Sequence, residues 1–258
     1  MRPGTVELDR SAHTGMTRRV VSLAPSATEV VHTVGAGDQL IAGTDHGSID
    51  ASVGGWLTPD IETVEALEPD HVLTTDALQD DIAGELRARG IPTTHSSPQT
   101  LSAVYTYIRE IGAAVNKVEA ADRLAATIDE RIQAISARVE GRERPVVYCE
   151  EWDEPPMVAG NWVPEIINAA GGIHPFCSPG ERSRRIEQAE IEAHAPSHAI
   201  VHLCGKGENA DPEAIHKRGW SIPHVSVIDD SLLNQPGPRL ATATERIAHF
   251  LHPEVFDA

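Results

Sequence analysis

The feature that most constrains the fold is a long amphipathic segment near the middle of the chain, NKVEAADRLAATIDERIQAISARVE, at residues 116–140. Its apolar side chains recur at steps of three and four residues: Val118, Ala121, Leu124, Ala125, Ile128, Ile132, Ile135 and Val139. This spacing places them on one face of a helix, with Arg, Glu and Asp on the other face. The sequence therefore predicts one long helix, a stiff strut that permits little hinge motion between the two halves of the chain.

Strands alternate with helices on both sides of this segment, which indicates parallel sheets in both halves. The predicted strands cover residues 20–23, 40–42, 71–74, 145–152, 198–203 and 224–228, and a final helix covers residues 239–251. Each half also repeats a helix that stops before a Pro-x-His step and a strand, once at Pro69 and once at Pro196. The fold class predicted is α/β, with two similar lobes bridged by one long α-helix. The predicted organisation is a loose N-terminal arm (1–17), a first lobe (18–114), a linking helix (115–141) and a second lobe (142–258).

The charge balance excludes some classes of partner. The chain has 21 basic and 39 acidic residues, a formal net charge of −18, so nucleic acid is not expected as a partner. Dispersed acidic residues are typical of proteins that stay soluble in high salt, and they suggest a halophilic source. Three cysteines form no C-x-x-C pair, and we expect buried or incidental thiols.

The N-terminal sequence predicts where the protein resides. The first 25 residues are polar, without the apolar core of a signal peptide, and no run of the chain is long and apolar enough for a membrane helix. As written, the chain is expected in the cytoplasm. If the native start differs or a leader has been removed, an extracytoplasmic location is expected instead.

Candidate binding residues follow the predicted strands, because ligands of open α/β sheets bind beyond the carboxyl ends of the strands. The candidates in these loops are Pro25, Ser26, Ala27, Thr28, His46, Trp56, Trp152, Asn161, Trp162 and Asn234. A single tryptophan is more often a core residue. Three of the four tryptophans lie in such loops, however, which favours a large, flat, partly apolar ligand held between the lobes.

Two of these loops carry helix-start signals. Ser26 is predicted to cap the helix after the first strand, and Asn161 is predicted to cap the helix that begins near Pro164. That cap would fix Trp162 so that it faces the cleft. His46 could ligate a transition metal or a cobalt centre from its loop.

No catalytic signature is present. The chain lacks G-x-S-x-G, Walker, H-E-x-x-H and G-x-G-x-x-G motifs, and we expect a protein that is not an enzyme.

Four segments resemble a known family: RRVVSLAPSATEVVHTVGAGDQLIAGT, DIETVEALEPDHVLTTD, EEWDEPPMVAGNWVPEIINAAGG and NQPGPRLATATERIAHFLHPEVF. They are similar to the cobalamin-binding proteins of the periplasmic-binding-protein family, which also serves siderophores and haem, and in particular to a subgroup many of whose members lack an export signal. The resemblance implies a class III fold of two lobes and one linking helix. It implies cobalamin or a related corrinoid as ligand rather than catalytic cofactor, for uptake, salvage or delivery. It also places Trp56 in the cleft, His46 where relatives have a cleft tyrosine, and Trp152, Asn161 and Trp162 opposite the corrin.

The resemblance further implies a partner, the permease of an ABC transporter, which relatives contact through one glutamate on each lobe. Glu62 corresponds to the first glutamate, whereas Ala189 takes the place of the second, with Glu187 and Glu190 close by. The subgroup's Ser-His-Glu-Cys-Asp-Tyr-Pro loop and Cys-x-x-Cys are replaced here by TDHGSID and DALQDD. We expect a monomer.

Three alternatives stay open at this point. An anionic siderophore or haem would need arginines in the cleft, for which Arg182, Arg184 and Arg185 are candidates. A bare metal ion would need several converging ligands, of which only His46 and Asp45 are obvious. An enzyme that acts on corrinoids could use carboxylates at the cleft, namely Glu150, Glu151 and Asp153.

Overall fold

The computed structural model describes residues 17–45 and 49–256. Its first half contains six strands and four helices within these ranges. The strands are β1 (Val20–Ser22), β2 (Leu40–Gly43), β3 (Gly54–Gly55), β4 (Thr58–Pro59), β5 (His71–Thr75) and β6 (Thr93–Ser96). The helices are α1 (Pro25–Thr33), α2 (Ile61–Ala66), α3 (Asp80–Ala88) and α4 (Leu101–Ala114).

The first sheet has the strand order β2-β1-β5-β6, and all three neighbouring pairs are parallel. Its central strand β1 is fully buried, because Val20 and Val21 contact helices on both faces of the sheet. The short antiparallel pair β3-β4 lies outside this sheet and forms a hairpin with Trp56 and Leu57 at its turn. Because the strands of the first sheet are all parallel, their carboxyl ends lie at the same edge.

The linking helix α5 (Val118–Val139) precedes the second half, in which five strands and six helices are described. The strands are β7 (Val147–Asp153), β8 (Pro156–Val158), β9 (Arg184–Arg185), β10 (His198–Val201) and β11 (His224–Val227). The helices are α6 (Val163–Ala169), α7 (Gln188–His194), α8 (Glu213–Lys217), α9 (Asp230–Leu233), α10 (Leu240–Leu251) and α11 (Pro253–Phe256). The second sheet has the order β11-β10-β7-β8-β9. Strands β7, β10 and β11 are parallel, whereas β8 and β9 extend the sheet as antiparallel strands.

Helix α5 packs against α4 of the first lobe and against α6 and α10 of the second. One hydrophobic core runs from Val20 in β1 through Ile128 and Ile132 of α5 to Ile247 in α10. At Gly112 a Cβ atom would lie 2.2 Å from the Cβ atom of Ala121, so the absence of a side chain lets α4 and α5 approach closely. The apolar face of the linking helix is thus buried against both lobes.

Two polar contacts also join the lobes directly. Arg239 of the second lobe pairs with Glu29 of α1 at 2.6 Å. The backbone N–H of Leu101, at the start of α4, donates to the Glu165 carboxylate of α6 at 2.7 Å. Both contacts connect a helix of the first lobe to the second lobe.

The predicted α/β class and the two bridged lobes are confirmed, and α5 confirms the helix predicted from the apolar spacing. The cap predicted at Ser26 is wrong, since α1 begins at Pro25 and has no side-chain cap bond. Within the described residues, no helix has both the length and the apolar character needed to cross a bilayer.

Candidate functional site

A cavity of about 380 Å³ lies between the two lobes, where the carboxyl ends of both parallel sheets face each other. Its volume falls in the range of about 300–1,000 Å³ that is usual for small-molecule sites. The described residues that line it are Pro25, Ser26, Trp56, Thr75, Asp76, Pro98, Trp162, Gly205, Asp230, Asn234, Gln235 and Pro236. Five of them, Pro25, Ser26, Trp56, Trp162 and Asn234, are candidates from the sequence.

The start of α1 and the β3-β4 hairpin form part of the first-lobe wall. The Ser26 hydroxyl lies 2.9 Å from the buried Tyr107 hydroxyl, which fixes the first turn of α1 on α4. The carbonyl of Trp56 accepts a 2.7 Å bond from the Gln79 side-chain amide, and the same amide also donates to the carbonyl of Leu23 at 2.9 Å. Gln79 is fully buried, so it anchors the hairpin and its indole to the end of the sheet.

Trp162 lies on the opposite wall, directly before α6. Its side chain is only 6% exposed, and the indole N–H donates to the carbonyl of Leu233 at 2.9 Å. Because the polar edge of the ring is bonded inside the second lobe, the ring is held in one orientation. Trp162 is therefore both a core residue and part of the cavity wall.

Asn234 reaches the cavity through a buried polar network. Its side-chain NH2 group donates a hydrogen bond to the carbonyl of His202 at 3.0 Å, and its side-chain oxygen accepts a hydrogen bond from Nδ1 of the His202 ring. His202 is fully buried, and this burial lowers its pKa to about 4. The ring is thus neutral near pH 7 and donates from Nδ1, which fixes the Asn234 side chain.

Several residues predicted as ligand contacts do not line this cavity. Ala27 and Thr28 point into the first lobe, where the Thr28 hydroxyl donates to the Ser22 hydroxyl at 2.8 Å. Trp152 is 46% exposed, and its indole N–H donates to the carbonyl of Glu154 at 2.9 Å. Arg182 lies on the surface. His46 lies outside the described residues.

The cap predicted at Asn161 is wrong. Its backbone has a φ of +54°, and Trp162 takes the N-cap position of α6 with no side-chain cap bond. Asn161 instead joins the loop that follows, because its carbonyl accepts a bond from the Gly180 N–H at 3.1 Å. The prediction that Pro164 lies in the first turn of α6 is confirmed.

The carboxylates proposed for acid–base chemistry have different environments. Glu150 is fully buried and accepts bonds from Tyr148 at 2.7 Å and from Arg218, one of them at 2.8 Å. It is therefore occupied by an internal ion pair and does not line the cavity. Burial raises the pKa of Glu151, and the Asp76 carboxylate across the cleft raises it further. Among the described residues, no three His, Cys, Asp or Glu side chains are arranged to hold a metal ion.

The sequence analysis missed seven residues of the lining: Thr75, Asp76, Pro98, Gly205, Asp230, Gln235 and Pro236. Several of them could be found by their position directly after a strand, which is the signal that identified the other candidates. Asp76 directly follows β5, and Pro98 comes shortly after β6. The sequence analysis does not predict β6 as a strand, so it does not identify the loop that contains Pro98 as a strand-end loop.

The residues implied for partner docking lie on the surface. Glu62 is in the first turn of α2 and is exposed. Ala189 is exposed on α7, and the neighbouring Glu190 pairs with Arg184 at 2.6 Å.

Two lobes with a cavity between them, joined by a helix that packs on both, are the architecture of a substrate-binding protein. The chain belongs to the periplasmic binding protein family, whose sequence model matches residues 20–220. It is 26% identical, over 263 aligned positions, to the vitamin B12-binding protein of Vibrio campbellii. That alignment covers 94% of this chain and 92% of the relative.

Solved structures share the fold. The periplasmic heme-binding protein RhuT from Roseiflexus sp. RS-1 superposes with a TM-score of 0.79 at 20% identity, covering 93% of this chain and 100% of that chain. The periplasmic vitamin B12-binding protein BtuF of Vibrio cholerae gives a TM-score of 0.75 at 20% identity, covering 93% and 98%. These neighbours confirm the class III fold that the resemblance implies.

Proposed function

We propose that this protein binds cobalamin or a related corrinoid in the cavity between its lobes, without chemical conversion, for uptake, salvage or delivery. Its similarity to vitamin B12-binding proteins over nearly the whole chain supports this ligand class. The same fold also occurs in heme-binding proteins, so the choice of ligand rests on the cavity itself.

The observation that carries the proposal is the pair of indoles on opposite walls. Trp56 comes from the first lobe and Trp162 from the second, and both line one cavity together with Pro25, Pro98 and Pro236. Flat rings and proline faces suit a broad macrocycle, whose burial provides most of the binding free energy. Asn234 and the neighbouring Gln235 offer amide groups, which can bond the amide side chains at the edge of a corrin.

An anionic iron chelate is less well supported. The Arg184 guanidinium is bonded to Glu190 and to the carbonyl of Phe176, and Arg182 and Arg185 are exposed and absent from the described lining. No described lining residue is Arg, Lys or His, so the described wall offers no cation to a siderophore or to the propionates of haem.

The transport partner is part of the proposal. We propose that an ABC permease receives the ligand and that Glu62 on α2 contributes one docking carboxylate. The exposed α7 surface carries Ala189 where a second carboxylate is expected, so docking there would use the nearby Glu187, which is also exposed.

The test is a titration of purified protein with cyanocobalamin, followed by tryptophan fluorescence and repeated on two variants. Trp56→Ala removes an indole from the cavity and is expected to weaken binding about tenfold or more. Trp152→Ala removes an indole that lies outside the cavity and serves as the matched control, with affinity within about twofold of wild type. Equal losses in the two variants, or no binding at about 50 µM corrinoid, would contradict the proposal.

A further inference from the structure

The charged residues of the described cavity lining are both acidic. Asp76 lies on the first-lobe wall and Asp230 on the second-lobe wall, and none of the described lining residues is basic. The two residues therefore line the same cavity from opposite sides. In such a volume a charge acts on a ligand more strongly than it would on an open surface, since low-dielectric walls screen it less.

The two carboxylates are oriented by backbone N–H groups rather than by cationic side chains. Asp76 accepts a bond from the Leu78 N–H at 2.9 Å. Asp230 accepts bonds from the N–H groups of Gly205 at 2.9 Å and Gly207 at 2.8 Å. These bonds fix the positions of the carboxylates but leave their net charge in place.

The backbone at Asp76 has an unusual conformation. Its φ is +74° and its ψ is 144°, a region that glycine occupies at little cost and other residues at a cost. The Asp76 carboxylate caps the helical turn that follows, so this backbone conformation holds the side chain at the cavity wall.

A third acidic group, Glu151, interacts with Asp76 from outside the described lining. Glu151 follows the core of β7 on the second lobe and is close enough to Asp76 for the two carboxylates to repel each other across the cleft. A ligand with positive charge in this space would relieve that repulsion, whereas an anionic ligand would increase it.

We propose that Asp76 and Asp230, assisted by Glu151, make the cleft select corrinoids by charge, so that cationic cobalt(III) forms bind more tightly than neutral ones. This inference rests on the proposed corrinoid function. Exchange of the upper cobalt ligand from cyanide to water changes the net charge of cobalamin from zero to +1 and leaves the corrin and its amides unchanged. The two forms are therefore a matched pair of probes.

The experiment compares the dissociation constants of aquocobalamin and cyanocobalamin by calorimetry, in mildly acidic buffer where the oxygen ligand on cobalt is water. For the wild type at about 0.1 M salt we expect aquocobalamin to bind about three- to tenfold more tightly. At about 1 M salt, where the screening length falls to about 3 Å, the ratio should approach one.

Two substitutions test the residues. Asp76→Asn removes the charge but keeps the side-chain shape and an oxygen that can accept the Leu78 N–H bond, so this variant should fold. It is expected to lower the ratio at least twofold, and Glu151→Gln should lower it in the same direction. Asp38→Asn is the control, because Asp38 is an exposed aspartate that precedes β2 at the other end of the sheet, and it should leave both affinities unchanged.

The outcomes distinguish failure of charge selection from failure of the corrinoid function. Equal affinity of the wild type for both probes would overturn charge selection while the corrinoid function stands. A preference that survives both substitutions and shifts the visible bands of cobalamin would come from a protein ligand on cobalt, and would also overturn it. Failure of both probes to bind would overturn the proposed function together with this inference.

Discussion

At the residue scale, the wall that carries Trp162 depends on the absence of a side chain at Gly160. A Cβ atom there would lie 2.3 Å from the carbonyl oxygen of Glu181 and 2.7 Å from the backbone nitrogen of Ser183. The Gly160 N–H donates to the Ser183 hydroxyl at 3.0 Å. This close approach ties the start of α6 to the loop that precedes β9, and it holds Trp162 where it can face the cavity.

Substitution of Gly160 therefore has a predictable cost. Gly160→Ala should destabilise the protein by about 1–3 kcal/mol, since the backbone of the loop must move away, and should weaken corrinoid binding through Trp162. Gly84→Ala is the control, because a Cβ atom at this position in α3 has open space around it. Replacement of a helical glycine should increase the free energy of unfolding by as much as about 1 kcal/mol. Thermal melts of both variants check the prediction, and similar melting temperatures for the two would contradict it.

At the element scale, the amino ends of β10 and β11 bring two histidines together. The rings of His198 and His224 lie 4.7 Å apart, and the His198 ring also packs against Phe250. Burial lowers the pKa of His198 to about 4, with further contributions from His224 and His252. The folded protein thus keeps His198 neutral at a pH where the unfolded chain would bind a proton.

This arrangement predicts a dependence of stability on pH. The pKa of His198 is lower in the folded protein than in the unfolded chain, so above about pH 6.5 the ring is neutral in both states. As the pH falls from about 6.5 toward 4, only the unfolded chain binds the proton, and the free energy of unfolding therefore decreases. In His198→Gln the melting temperature should fall less than in wild type between these two pH values. Parallel melting curves for the two proteins across this range would show that His198 does not titrate with unfolding.

The elements also show what sequence reasoning can reach. The spacing of apolar residues predicted α5 and the final helix to within a few residues, because a buried stripe on a long helix leaves a clear period. Asp76 directly follows β5, so the strand-end argument can reach it, whereas Asp230 begins α9, a four-residue helix that is too short to leave an apolar period. The Asn161 cap failed because the bonds of its backbone to residues 180 and 181 favour a positive φ over a cap geometry.

At the scale of the whole molecule, one core and two polar contacts join the lobes. Helix α5 contributes Ile128 and Ile132 to a core that both lobes share, and the Glu29–Arg239 ion pair spans the lobes beside the cavity. Large closing motions would have to break these contacts. The cavity is thus largely formed before a ligand arrives.

Limited closure is testable in solution. Small-angle X-ray scattering of the protein with and without bound corrinoid should give the same radius of gyration within error, because the lobes need not move as rigid bodies. Glu29→Gln removes one contact between the lobes and should leave the ligand-free radius unchanged if α5 carries the rigidity. A clear decrease in radius on binding would contradict a preformed cavity.

The central claim is that the cavity between the lobes takes a corrinoid in preference to other large iron or cobalt ligands. The most direct measurement is isothermal titration of the wild-type protein with aquocobalamin and cyanocobalamin, and with haemin and a ferric siderophore under the same conditions. We predict one corrinoid bound per chain, with haemin and the siderophore at least about tenfold weaker. Tight binding of haemin or of the siderophore, with no heat from either corrinoid, would contradict the account.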